Sequence, residues 1–96
     1  MYAVVRTYSG SGAKELFDLL ERRKAEVEAA IRTVPGLVGY TLVRTELGGM
    51  AVTVCQDRAG AEKSTLIAKE WIQQHASEIG SKLPDVDAGS VLVQIT

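Results

Sequence analysis

Met50-Ala51-Val52-Thr53-Val54-Cys55-Gln56, then Asp57-Arg58-Ala59-Gly60-Ala61-Glu62-Lys63-Ser64, then a run carrying Ala68, Trp71, Ile72 and His75, is the stretch on which the fold turns. A β-rich segment ends, a polar turn follows, and the apolar period changes from two to about 3.6. Asp57 is the natural N-cap of the helix that begins here, and Glu62 suits its early part. The helix is expected to run to about His75. Ala61, Ala68, Ile72, Ala76 and Ile79 fall on one arc of it, with Ile67, Trp71 and His75 spaced four apart along the edge.

Upstream, Leu37 to Thr45 reads as a strand, Leu47-Gly48-Gly49 as a hairpin turn, and Met50 to Gln56 as the returning antiparallel strand. Tyr2 to Tyr8 is a first strand, rich in residues that favour a pleated surface. After the Ser9–Gly12 loop a helix starts at Ala13, with Gly12 and Glu15 echoing a capping box. Leu16, Leu20, Val27 and Ile31 share its inner face, Lys24 interrupts them, and Val34-Pro35-Gly36 ends it. Asp18–Arg22, Arg22–Glu26, Lys24–Glu28 and Glu28–Arg32 are candidate ion pairs on its outer face. Downstream, Ser77 to Leu83 gives a further turn broken near Gly80, Pro84 to Gly89 a loop, and Val91 to Ile95 a last strand. The order strand, helix, strand, strand, helix, strand is the ferredoxin-like split βαβ arrangement. It predicts an α+β domain spanning 1–96, with four antiparallel strands and both helices on one face.

Composition bounds the function. The chain has 96 residues, 46% of them apolar and 24% charged, as in an ordinary globular domain. Its formal net charge of −1, with basic residues scattered, lacks the footprint of a nucleic-acid binder. No apolar run approaches the ~20 residues of a membrane span, and the start lacks the regions of a signal peptide. A cytoplasmic protein with Cys55 as a free thiol is expected. With one cysteine there is no internal disulfide, so association is the expected supplement to a small core.

Helices cover one face of such a sheet. Sorted by alternation, Val52, Val54, Val91, Val93 and Ile95 are apolar enough to lie beneath them. That leaves Ala51, Thr53, Cys55, Leu92, Gln94 and Thr96 on the other side. This second set is mixed and uncharged, unlike a solvated face. A second copy of the chain packing there, as a symmetric homodimer, is the economical expectation.

Strand order and this face resemble the dimeric α+β barrel superfamily, whose best-known members are antibiotic-biosynthesis monooxygenase-like domains. The second half is similar to short bacterial members of that superfamily. The matching residues are Asp57 to Glu62 with Ser64, Ala68 to Ile72, then Pro84, Val86, Gly89 and Val91, with Pro35-Gly36 and Gly39-Tyr40 at the second strand. The resemblance implies two ferredoxin-like subunits packing their sheets into a shared barrel. These motifs are structural punctuation, and they speak to fold more than to chemistry.

Four residues are candidates to line a ligand site between the second helix and the sheet: Trp71, His75, Tyr40 and Tyr8. Trp71 reads either as a boundary aromatic sealing the core or as a pocket wall. His75, the only histidine, reads as a helix C-terminal residue or as a proton carrier. Haem-degrading members of the superfamily use an Asn on the first strand with a Trp and a His. This chain has no Asn, and its Trp and His lie one turn apart, so haem is not carried over. Cys55 reads as a small sheet residue. No metal site, phosphate loop or serine triad is legible, and no cofactor is expected. The residues therefore suggest a small ligand-binding dimer. The alternative, implied by the resemblance, is a cofactor-independent monooxygenase acting on a small aromatic or quinol-like substrate.

Overall fold

The computed structural model describes residues Met1–Thr96. Its elements are β1 (Tyr2–Tyr8), α1 (Ala13–Arg22), α2 (Lys24–Ile31), β2 (Leu37–Thr45), β3 (Gly48–Cys55), α3 (Arg58–His75), a short 3-10 turn (Ser77–Ile79) and β4 (Asp85–Ser90). The four strands form one antiparallel sheet in the order β2-β3-β1-β4, the ferredoxin-like arrangement expected. Asp57 caps α3 as anticipated, its Oδ1 accepting from the Gly60 N–H at 2.9 Å.

Four local expectations are corrected. The first helix is two helices, because Arg23 leaves helical geometry at φ −116°, ψ 30°. A continuous helix would bring Lys24 into line with Leu20. The break leaves Lys24 exposed while Val27 and Ile31 stay buried. Gly12 caps α1 in the left-handed conformation without any side-chain bond, so the capping-box echo is not realised. Of the anticipated ion pairs, Glu28–Arg32 forms at 2.7 Å, whereas Asp18 turns to Arg44 of β2 at 3.1 Å. The last strand is the largest displacement. Asp85–Ser90, read as loop, is β4, and Val91 to Ile95 lies outside the sheet. Pairing decides this over propensity. β1 offers its free edge only from Tyr2, which faces Ser90, and the Val91 N–H to Met1 carbonyl bond closes the ladder. Leu92, Val93 and Ile95 are left 93, 77 and 90% exposed.

The register also reverses the expected faces of β3. Val4 pairs with Thr53, Arg6 with Ala51 and Tyr8 with Gly49, and this set is buried beneath the helices. Val52 and Val54 face the other way, level with Val5 and Ala3. The inner set is small because the helices approach closely. The Phe17 ring of α1 lies flat on Gly49, where a Cβ would run into the ring, and it meets Tyr8 edge-on at 5.7 Å. The core then runs from Ala13, Leu16, Phe17 and Leu20 through Val27, Ile31 and Val34 to Ala76.

Candidate functional site

Between α2, α3 and the inner face of the sheet lies a narrow recess with about 30 Å³ of interior space. Its floor is β-sheet: Arg6 and Tyr8 from β1, Tyr40 and Leu42 from β2, Ala51 from β3. Its walls are Leu20, Val27, Ala30 and Ile31 on one side and Ile67, Ala68, Trp71 and Ile72 on the other. Alternation on the strands and the 3.6 period on the helices put these residues there.

Three of the four expected residues come together. Tyr8, Tyr40 and Trp71 all line the recess, and burial raises both phenol pKa values, with the Arg6 charge and hydrogen bonding to Arg6 pulling the other way. His75 does not line it. The imidazole is exposed and lies against the outer side of Trp71, 4.6 Å between ring centroids. Arg23, at the break between α1 and α2, places its guanidinium 5.6 Å from the centre of the Trp71 ring. Glu26 holds Arg23 in a charge-assisted pair, which keeps the Glu26 carboxyl below its ordinary range. Trp71 is thus a wall of the recess, steadied from outside by a cation and an imidazole. The recess offers no imidazole to a metal, and no cluster of three His, Cys, Asp or Glu exists elsewhere.

The residue missed from sequence is Arg6. Its side chain is 1% exposed at the bottom of this otherwise apolar recess. Nη1 donates to Ser64 Oγ and Thr65 Oγ1 at 3.3 Å, and Nη2 to Thr53 Oγ1 at 3.1 Å. Nε has no partner, and none of the five ion pairs includes Arg6. A cation is held by neutral hydroxyls alone. Its alternation with Val4 and Tyr8 was the available signal, since those two neighbours on the same face are core residues.

Cys55 is buried, and burial first, then the Asp57 charge, pushes its thiol above the ordinary range. It packs within the core cluster with no exposed surface. No helix is long and apolar enough to cross a membrane.

No family model and no curated protein matches the sequence. Solved structures do. NE2512 from Nitrosomonas europaea, a protein of unknown function, matches at TM-score 0.70 and 14% identity over 99% of this chain and 91% of that one. The haem-degrader MhuD from Mycobacterium tuberculosis, with two haems in its active site, matches at 0.65 and 18% over 99% and 98%. The ActVA-Orf6 monooxygenase from Streptomyces coelicolor, in complex with nanaomycin D, matches at 0.58 and 18% over 99% and 89%. The chain therefore has the fold its sequence resemblance implied, the ferredoxin-like α+β fold of these solved structures.

Proposed function

We propose that the protein is a cytoplasmic homodimer that binds a small, flat, largely apolar molecule in the recess between α3, α2 and the sheet. The observation that carries the binding reading is the lining itself: twelve of its thirteen residues are hydrophobic, and Trp71, Tyr8 and Tyr40 supply aromatic surfaces around one cation. Two structural neighbours hold small molecules, haem in MhuD and nanaomycin D in ActVA-Orf6.

Dimerisation rests on the outer sheet face. Ala3, Val5, Val52, Met50 and Val43 share it with Thr7 and Thr41, and Val54 on the same face is already buried, so the patch is mainly apolar and uncharged. Charge enters only at the β4 edge, through Asp85 and Asp87. A contiguous apolar patch of this kind supports a partner rather than water, and a second copy satisfies it symmetrically. The exposed Leu92, Val93 and Ile95 are further apolar surface for the same partner. Light scattering should give twice the 10.3 kDa chain mass, and Val52→Lys should return it to the monomer. A wild-type monomer at micromolar concentration would refute the dimer.

Binding is tested with Trp71, the chain's only tryptophan and a wall of the recess. Flat aromatic acids, quinones and their neutral derivatives should quench it saturably. A second reading is catalytic: a cofactor-independent monooxygenase acting on a quinol, as SnoaB from Streptomyces nogalater is a cofactor-independent oxygenase and matches at TM-score 0.56. Two phenols and a guanidinium in an apolar recess suit a substrate that ionises before it reacts. Oxygen uptake unchanged across a phenol and quinol panel would remove this second reading for those substrates and leave binding intact.

A further inference from the structure

We infer that Arg6 reads an ionised oxygen on the ligand, so that the recess selects a flat apolar body bearing a carboxylate or an ionised enol or phenol. This rests on the binding reading above and specifies its chemistry.

The argument begins with the donors. A guanidinium has five N–H donors in a rigid fork. Three serve Ser64, Thr65 and Thr53, so five less three leaves two, the Nε hydrogen and one on Nη2, and the neutral Tyr8 and Tyr40 hydroxyls lie close enough to Arg6 for hydrogen bonding to lower their pKa values. Nε–H and an Nη2–H lie side by side on one edge of the fork. That edge matches the two oxygens of one carboxylate, or the adjacent oxygens of an ionised hydroxyquinone. The three hydroxyls hold the far edge and fix the plane of the group. The site is therefore held by hydroxyls on one side and has no anionic acceptor on the other, where Nε is buried.

Nothing in the fold supplies the missing anion. The other twelve residues lining the recess include no carboxylate. Tyr8, Tyr40 and Cys55 are acidic groups that feel the Arg6 charge, and burial, which raises the pKa of each, keeps all three neutral at physiological pH. A second copy docked on Val5 and Val52 would cover the opposite face of the sheet from Arg6. The anion has to arrive through the mouth of the recess, past Trp71.

Matched pairs of probes test this by calorimetry, with Trp71 quenching as the site reporter: naphthoate against its methyl ester, and a hydroxynaphthoquinone against its methyl ether. In the wild-type protein the ionised member of at least one pair should bind about 10- to 100-fold more tightly, the range for a hydrogen bond to a buried charge. Whichever pair shows the preference names the source of the oxygen. Arg6→Met should abolish it while retaining the neutral probe, and the wild-type ratio decides even if that variant does not fold. Equal binding within both pairs would overturn the inference and leave the binding site standing. An acid preference that survives Arg6→Met would place the charge recognition elsewhere and also overturn it. Saturation by none of the four probes would overturn the binding reading and this inference together.

Discussion

Replacing Arg6 by methionine should leave the ligand-free protein as stable as the wild type, or more so. For a residue only 1% exposed this is unusual, since truncating a core side chain ordinarily costs about 2–5 kcal/mol. Burying a cation costs several kcal/mol even after relaxation. The return is three hydrogen bonds at 3.1–3.3 Å to neutral hydroxyls, longer than the ~2.7–2.9 Å of a guanidinium on a carboxylate. At about 1.5 kcal/mol each, the low end for a charged donor, they roughly offset the burial. The unpartnered Nε then adds about 1–3 kcal/mol of its own.

Methionine has a similar unbranched reach and fills irregular apolar space. Ser64 loses little, because its hydroxyl still donates to the Ala61 carbonyl at 2.6 Å. Thr53, fully buried, loses its partner, and that returns part of the gain. The expected change lies between zero and about +2 kcal/mol, within the range found when buried charges are exchanged for apolar groups. Urea unfolding followed by far-UV circular dichroism, at fixed protomer concentration, measures it. Arg6→Lys is the control: it keeps a buried charge, loses the fork, and should be less stable than both. A loss above about 3 kcal/mol in Arg6→Met would mean the hydroxyls fully compensate the cation. Arg6 would then be a structural hub, and the case for an incoming anion would fail.

Two further outcomes follow from the packing and the titrating groups. Gly49→Ala drives a methyl into the Phe17 ring and should destabilise by about 1–3 kcal/mol, with Phe17→Leu in the same chain restoring part of it. Full stability of Gly49→Ala would contradict the face assignment of β3. Tyr8, Tyr40 and Cys55 all have folded pKa values above their ordinary 10.0, 10.0 and 9.0. The folded state therefore keeps protons that the unfolded chain has released. The contribution of these neutral groups is complete below those ordinary values and is lost as pH climbs through the folded ones. The urea midpoint should fall above pH 9.0, and less steeply in Tyr8→Phe and Tyr40→Phe. A flat alkaline profile in the wild type would show that these groups are not buried as described.

Much of the fold is legible because its signals are local. Asp57 before an apolar-periodic run, Pro35-Gly36 after one, and two strands joined by so short a link are decided within a few residues. The errors arise where the deciding contact is distant. Asp85-Val86-Asp87-Ala88-Gly89-Ser90 has poor strand propensity and becomes a strand because β1 has an edge to fill. Val91 to Ile95 has good propensity and no chain beside it. The site divides in the same way. The aromatic lining was visible as helix-edge and strand positions. His75 satisfied the same spacing but ends outside the recess, exposed and tilted against the Trp71 ring at the last turn of α3.

The reversed faces of β3 and the overlooked arginine have one cause. Alternation leaves two ways to seat a strand, and a one-residue slip exchanges every side chain between faces. Judged by hydropathy alone, Val52 and Val54 belong inside and Ala51, Thr53 and Cys55 outside. That placement would put Ala3, Val5 and Thr7 under the helices and turn Val4, Arg6 and Tyr8 outward, because β1 and β3 are locked in register. It would leave Phe17 without Gly49 to lie on, and Arg6 without Thr53. The observed seating instead buries a charge and leaves Val52 and Val5 on the outer face. Each half of that choice is unfavourable in an isolated chain, and each is relieved by a different partner: a second copy on the valines, an anion on Arg6. If both are supplied, the seating is the stable one. The Val52→Lys and Arg6→Met variants should then act independently, the first changing mass without changing acid preference, the second the reverse. A single variant that altered both would show that the two faces of the sheet are coupled.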